Sequence, residues 1–363
     1  MWIILVVIIL CLVMTGMILL PPSKGKVQPF RNEDGSILEG SIAEKVFYKT
    51  NGTSLGMFLE GRDVSKPVLL FLSGGPGIPE YFLEQEYPTH LEDEFVVCYL
   101  EYRGTSLSYD PNLEKSTLST KQYVADVVEV TRYLCSRFGQ EKVYLMAHSF
   151  GTYIALNTIT QYPELYHAYI AISQMCRQRE SEYLAYDYML DCYKKAGNKK
   201  KVKAFEQTDI KASEEIYRQY CNSLLRDNSM HALGIGTARD MHSVVQDILM
   251  PSLKCKAYTP MERLNIYRGK LFAQTSEVAK DAWSFDAFTQ IPEIRIPVYF
   301  LAGIYDYTCC YSLQKEYYEQ LIAPSKGFYT FQKSAHSPLF EEPEKGLRIM
   351  IEDVKQGKTK LAD

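Results

Sequence analysis

A serine, an aspartate and a histidine stand in the order Ser149, Asp306, His336, each just beyond an apolar run. A serine hydroxyl is a weak nucleophile at neutral pH. It attacks a carbonyl only when a base takes its proton and a third group orients that base. Ser149 lies in Leu145-Met146-Ala147-His148-Ser149-Phe150-Gly151. The run Val143 to Ala147 reads as a short buried strand, and Thr152 to Thr160 reads as a helix. Strand, sharp turn and helix with serine at the apex is a nucleophile elbow, which needs small residues two positions either side. Gly151 meets that need, and Ala147 meets it with one extra methyl. The competing reading is a serine that merely caps a helix.

Six histidines are available as the base: His90, His148, His167, His231, His242 and His336. His148 adjoins Ser149, but neighbours around a sharp turn point apart. His167 begins a strand, and His231 and His242 fall in a long helical stretch. His336, in Ser334-Ala335-His336-Ser337, follows the last strand and precedes the last helix. Asp306, in Gly303-Ile304-Tyr305-Asp306, follows the preceding strand. Taken singly, Asp306 suits a helix cap and His336 a surface loop; their joint order points to catalysis. Charge developing on an attacked carbonyl oxygen needs backbone donors. Phe150 N–H is one. The loop Ser73-Gly74-Gly75-Pro76-Gly77 supplies the second, with Gly75 the leading donor and Gly74 beside it. No Gly-Lys-Ser/Thr follows these glycines, so the loop is not a phosphate cradle.

Around these residues the chain alternates strand and helix. Asn51-Gly52 between the apolar runs Val46–Tyr48 and Leu55–Leu59 is a hairpin signal. The runs 67–72, 95–100, 143–147, 165–173, 296–303 and 327–331 read as strands buried on both faces. Helical patterns separate them at Pro79–Thr89, Thr120–Phe138, Ser312–Leu321 and Pro343–Lys355. Repeated βα units predict a mostly parallel sheet with helices on both faces. From about Arg177 to Ile291 the alternation stops in favour of helical periodicity, a stretch placed to cover the site as a cap. The expected organisation is 2–20 anchor, 21–42 tether, 43–176 first part of the core, 177–291 helical cap and 292–357 second part of the core.

At 363 residues with a net charge of −4, the chain carries no electrostatic footprint for nucleic acid. The cysteine spacing shows no zinc pattern, and no metal or cofactor is implied. Residues 2–20 are uncharged and almost wholly apolar, the length of a membrane-spanning helix, and Pro21-Pro22 ends them. No basic residue precedes this run and no small-residue cleavage site follows it. The expectation is a retained single-pass N-terminal transmembrane anchor, with the membrane as a partner and the side of the catalytic domain left open.

Gly74-Gly75-Pro76-Gly77, Arg103-Gly104-x-Ser106, the Ala147–Gly151 elbow, Gly303-x-Tyr305-Asp306 and His336-Ser337 together resemble the prolyl iminopeptidase branch of the α/β-hydrolases. The resemblance covers about residues 43 to 355 and is carried by the core. It departs from the family pattern at Ser73, where the family has His, at Glu101, Tyr102 and Ser106 in place of Asp, Gln and Gly, and at Ala147 and Ala335 in place of Gly. It implies an α/β-hydrolase fold with an inserted helical cap and a Ser149–Asp306–His336 triad cleaving amides or esters, most closely as a peptidase of the branch. A carboxylesterase or lipase-like hydrolase uses the same machinery. A non-catalytic binding protein on this fold is the alternative outside enzymes. Family peptidases bind a free amine with acidic side chains, for which Glu80, Glu180 and Glu182 are the candidates here.

Overall fold

Asn51 and Gly52 both adopt positive φ, 47° and 73°, the turn geometry that matches the twist of a two-residue hairpin. They join strand β1 (Ile42–Thr50) to β2 (Thr53–Gly61) in unbroken register from Ile42 opposite Gly61 to Thr50 opposite Thr53. The computed structural model describes residues 22–241 and 243–363. After the hairpin come β3 (Val68–Leu72), β4 (Val96–Leu100), β5 (Val143–His148), β6 (Tyr166–Ile172), β7 (Val298–Gly303) and β8 (Lys326–Phe331). They form one eight-stranded sheet in the order β1-β2-β4-β3-β5-β6-β7-β8. β2 runs antiparallel to β1 and β4, and every pairing from β4 to β8 is parallel.

The central strands are buried along their whole length, as in Val68–Leu72 and Val96–Leu100. That burial on both faces explains their unbroken apolar composition. Helix Thr120–Phe138 covers one face through Tyr123, Val127, Val130 and Leu134. Ser119 caps its start by accepting from Gln122 N–H, and Gly139 ends it in the left-handed conformation. Because β3 to β8 are parallel, the loops after them gather at one edge, where sites form in sheets of this kind.

Between β6 and β7 lie helices Gln178–Lys195, Lys199–Glu206, Glu214–Cys221, Leu224–Ala232, Met250–Lys254, Pro260–Gln274, Glu277–Ser284 and Ala287–Gln290. The first four share a separate core of Ala185, Tyr186, Met189, Phe205, Tyr220 and Met230. The last helices pack on the sheet through Ala273, Val278, Ala282 and Ala287.

Local differences from the sequence reading have simple causes. The helix expected over Pro79–Thr89 spans Tyr81–Glu86, since Glu80 is drawn into a buried contact described below. The helix expected over Pro343–Lys355 runs as Pro343–Ile349 and continues as a π-helical turn over Met350–Val354. A short helix, Pro338–Glu341, precedes it, separated because Pro343 has no N–H to continue the ladder. Within the stretch expected as a tether, Ser23 Oγ donates to Lys256 O at 2.5 Å, and Arg31 and Ile37 form a bridge of their own.

One expectation is corrected. Among the described residues no helix is long and apolar enough to cross a membrane. The described fold therefore lacks the expected transmembrane helix, and the single-pass anchor, the membrane partner and the membrane localisation have no counterpart in it. Residues 2–20, on whose apolar composition they rested, lie outside the described residues, as does His242.

Candidate active site

Ser149 stands between β5 and helix Phe150–Gln161 with φ 53° and ψ −122°. That region is sparsely populated for any residue with a side chain. It is held by Ser149 N–H donating to Ile172 O at 3.1 Å and Thr152 N–H donating to Ser149 O at 2.8 Å. Ser149 is partly exposed while His148 and Phe150 are buried, so the turn leaves the serine accessible between two buried neighbours. Gly151 explains the motif directly: a Cβ there would sit 2.3 Å from Leu72 O, so helix and strand β3 could not pack this closely.

His336 and Asp306 meet across two strand ends. His336 Nδ1 lies 3.1 and 3.0 Å from Asp306 Oδ1 and Oδ2. Asp306 is fully buried and accepts from Thr308 N–H and Cys309 N–H, both at 2.9 Å, and from Gln314 Nε2 at 3.1 Å. Its carboxylate is thus fixed from several sides, and the ring it holds keeps Nε2 available for a hydroxyl. Gly303 permits the approach of the loops, because a Cβ there would lie 1.9 Å from Ala335 O.

The His336 loop is clamped in turn. Glu341 Oε1 accepts from Ala335 N–H at 2.9 Å and Ser337 N–H at 3.3 Å, and its Oε2 accepts from Arg239 N–H at 2.6 Å. Burial, partly offset by these amide bonds, pushes the Glu341 pKa up to about 7. The helical stretch also touches both loops through its backbone: His336 N–H donates to Gly236 O at 3.2 Å and Tyr307 N–H to Ile235 O at 3.3 Å.

Of the expected oxyanion donors, Gly75 is exposed at the loop tip and Gly74 is buried. Gly74 N–H already donates to Glu80 Oε1 at 2.6 Å. No hydrogen bond among the described residues uses the Gly75 or Phe150 amide. The altered loop residue Ser73 is built in: its Oγ accepts from Glu80 N–H at 3.2 Å, and its carbonyl accepts from Tyr102 Oη at 3.1 Å. Glu101 accepts from the Tyr258 hydroxyl and from Leu107 N–H. Burial raises the Glu101 pKa to about 7 against those bonds. The replaced positions Ser73, Glu101 and Tyr102 thus act as scaffold under the glycine loop.

The three carboxylates expected to bind an amine fare differently. Glu80 lies against the elbow: a Cβ on Gly74 would be 3.2 Å from Glu80 Oε1 and 3.1 Å from Ser149 Cβ. Its Oε1 is 2.8 Å from His148 Nδ1. Glu182 is fully buried and bonded by Arg226 through 2.5 and 2.7 Å contacts. Gln178 links it onward, with Nε2 3.2 Å from Glu182 Oε1 and 2.8 Å from Thr308 O. Glu180 is half exposed and 3.5 Å from Arg177.

Sequence reasoning overlooked the Glu80–His148 contact, Gln314, Gln178 and Glu341. For the first a signal existed, since a histidine turned away from the serine must point at something. The described cysteines, eight in all, are free thiols, and among the described residues no His/Cys/Asp/Glu group is placed to hold a metal ion.

A family model described as the alpha/beta hydrolase fold matches residues 67–343. The chain belongs to the α/β-hydrolase superfamily. A stretch of 67 residues is 40% identical to the proline iminopeptidase of Heyndrickxia coagulans, covering 18% of this chain and 22% of that protein. The chain is 29% identical over 309 residues to the probable aminopeptidase YbaC of Bacillus subtilis (strain 168), covering 84% of this chain and 93% of that protein. Its fold is similar to the proline iminopeptidase of Mycobacterium smegmatis, with a TM-score of 0.59 at 13% identity over 86% of this chain and 98% of that one. It is also similar to a proline iminopeptidase-related protein of Thermus thermophilus, with a TM-score of 0.51 at 20% identity, covering 84% and 94%. An α/β-hydrolase-fold catalytic domain of the kind typical of serine hydrolases follows from these matches.

Proposed function

We propose that the protein is a serine hydrolase cleaving amide bonds, as a peptidase of the proline iminopeptidase type. What supports the hydrolase reading is a strained, partly exposed Ser149 on the elbow, together with a buried His336–Asp306 pair whose loop is bonded to His148, the residue before that serine. Ser149 Oγ attacks the carbonyl carbon as His336 Nε2 takes its proton. Asp306 holds the ring by Nδ1 and stabilises the imidazolium that forms. The Phe150 and Gly75 amides, which have no acceptor of their own, receive the oxyanion. His336 returns the proton to the departing amine, and water repeats the sequence on the acyl-enzyme.

Support for the aminopeptidase end comes from the shared motifs and from the YbaC-like relative aligned over most of both chains. A second reading is favoured by one feature. Each carboxylate expected to bind a free amine already faces a cationic partner or an imidazole: Glu80 His148, Glu182 Arg226 and Glu180 Arg177. Esters or amides without a free amine would suit such a site. A panel of proline and other amino-acid arylamides, their N-acetylated forms, and short- and long-chain nitrophenyl esters separates the readings. Turnover of free but not acetylated arylamides is the expected result. Equal turnover of both, or turnover confined to esters, would remove the aminopeptidase reading and leave the hydrolase reading standing.

A further inference from the structure

The ring of His148 has an acceptor at each nitrogen. Nδ1 lies 2.8 Å from Glu80 Oε1, and Nε2 lies 2.6 Å from the backbone oxygen of His336. A neutral imidazole carries one proton and satisfies only one of two acceptors. Placing the needed proton on Glu80 instead fits less well, because Glu80 Oε1 already accepts from Gly74 N–H at 2.6 Å. Both side chains are more than nine-tenths buried, so a lone pair aimed at an oxygen here would go uncompensated.

The contacts reach further than two residues. Glu80 binds the Gly74 amide of the loop after β3, His148 ends β5, and Ser173, just past β6, donates its hydroxyl to the same His336 oxygen at 2.8 Å. One buried chain of hydrogen bonds therefore links the ends of β3, β5 and β6 to the base loop after β8. None of its atoms belongs to the Ser149 hydroxyl, the Asp306 carboxylate or the His336 ring.

We propose that Glu80 and His148 form a buried carboxylate–imidazolium pair that positions the catalytic loops, fixing the His336 carbonyl on one side of Ser149 and the Gly74–Gly75 segment on the other. The proposal rests on the serine-hydrolase reading of the site. Glu80 and His148 are positioning residues here, not an amine anchor. The titratable groups facing His148 are Glu80, Asp306 and the His336 ring, whose centroid is 4.8 Å away. Burial disfavours the charged ring, but the Glu80 charge, its hydrogen bond and the His336 carbonyl outweigh burial and raise the His148 pKa above the ordinary imidazole value. When the ring loses its proton at alkaline pH, the Glu80 charge retains the remaining one on Nδ1. The bare Nε2 then faces the His336 oxygen and the base loop loosens.

Side-chain nitrogen NMR on the full chain labelled at histidine tests this without relying on turnover. Comparison with Glu80→Gln and His148→Gln assigns the resonance. Both ring nitrogens of His148 should carry protons at pH 7.5 and keep them above the pH at which free imidazole titrates. Glu80→Gln should lower that titration by about 1–3 pH units, the effect of removing a close opposite charge. The alkaline limb of kcat should move with it, while KM changes little. A singly protonated His148 in the wild type overturns the pair. A folded Glu80→Gln variant, checked by circular dichroism, whose alkaline limb is unmoved overturns the positioning role. Failure of the hydrolase reading is distinguishable, since it would appear as absent labelling of Ser149 by a phosphonate probe whatever the state of His148.

Discussion

At the residue scale, each group around Ser149 has little freedom left. The backbone of Ser149 is held in a region costing on the order of 1–3 kcal/mol, and two hydrogen bonds and the packing of Gly151 on Leu72 maintain it. Asp306 makes contacts to two amides, one side-chain amide and the His336 ring. Asp306→Asn keeps the size but presents the wrong hydrogen-bond character to Nδ1, favouring the tautomer that cannot act as base. The expected consequence is a loss of about 10⁴ in kcat with KM little altered, read from initial rates on the best substrate of the panel. A loss below about tenfold would mean that Asp306 does not orient the base. His148 shows how position misleads: adjacent to the serine, its ring faces Glu80 and the His336 backbone instead.

At the element scale, the site depends on loops being locked to the sheet from below. Arg103, just after β4, is buried and makes two bonds of 2.8 Å to Asp126 in helix Thr120–Phe138, and a third of 3.0 Å to the carbonyl of Asn51 in the hairpin turn. One guanidinium thereby joins hairpin, strand end and helix. Asp126→Ala leaves that cation buried without its carboxylate, a change expected to cost about 3–5 kcal/mol. Chemical denaturation should register it as a lower midpoint with an unchanged slope; a shift under 1 kcal/mol would show the pair to be dispensable. The strands were legible because burial on both faces writes an unbroken apolar run, and the hairpin because Asn-Gly allows two positive φ values in succession. The meeting of Asp306 with His336 was legible because parallel strands bring successive loop residues to one edge. The partners of Glu80, Glu182 and Arg103 were not. Those contacts join residues 68, 44 and 23 positions apart, and no local periodicity encodes them.

At the scale of the molecule, four carboxylates, three of them buried and Glu341 partly so, make stability depend on pH in a definite direction. Burial raises Glu60, Glu101 and Glu341 to about 7 and Glu84 to about 8, against an ordinary 4.5. Between the ordinary value and the raised one, the folded state holds protons that the unfolded state has released. Stability from these groups is therefore present near pH 5 and declines as pH rises toward 8. Glu84→Gln removes one such charge while retaining an acceptor for the Thr89 amide, which Glu84 binds at 2.8 Å. It should raise the thermal midpoint more at pH 8 than at pH 5, and an equal shift at both would contradict the assignment. The helices between β6 and β7 tie this scale to the chemistry, since their Gly236 and Ile235 carbonyls hold the amides of His336 and Tyr307. The chemistry presupposes that Ser149 is the nucleophile. Labelling with an active-site fluorophosphonate tests that most directly: the folded wild-type chain should take up one equivalent at Ser149, and Ser149→Ala none. A folded wild type that stays unlabelled, or a Ser149→Ala variant that labels as well, would contradict the account.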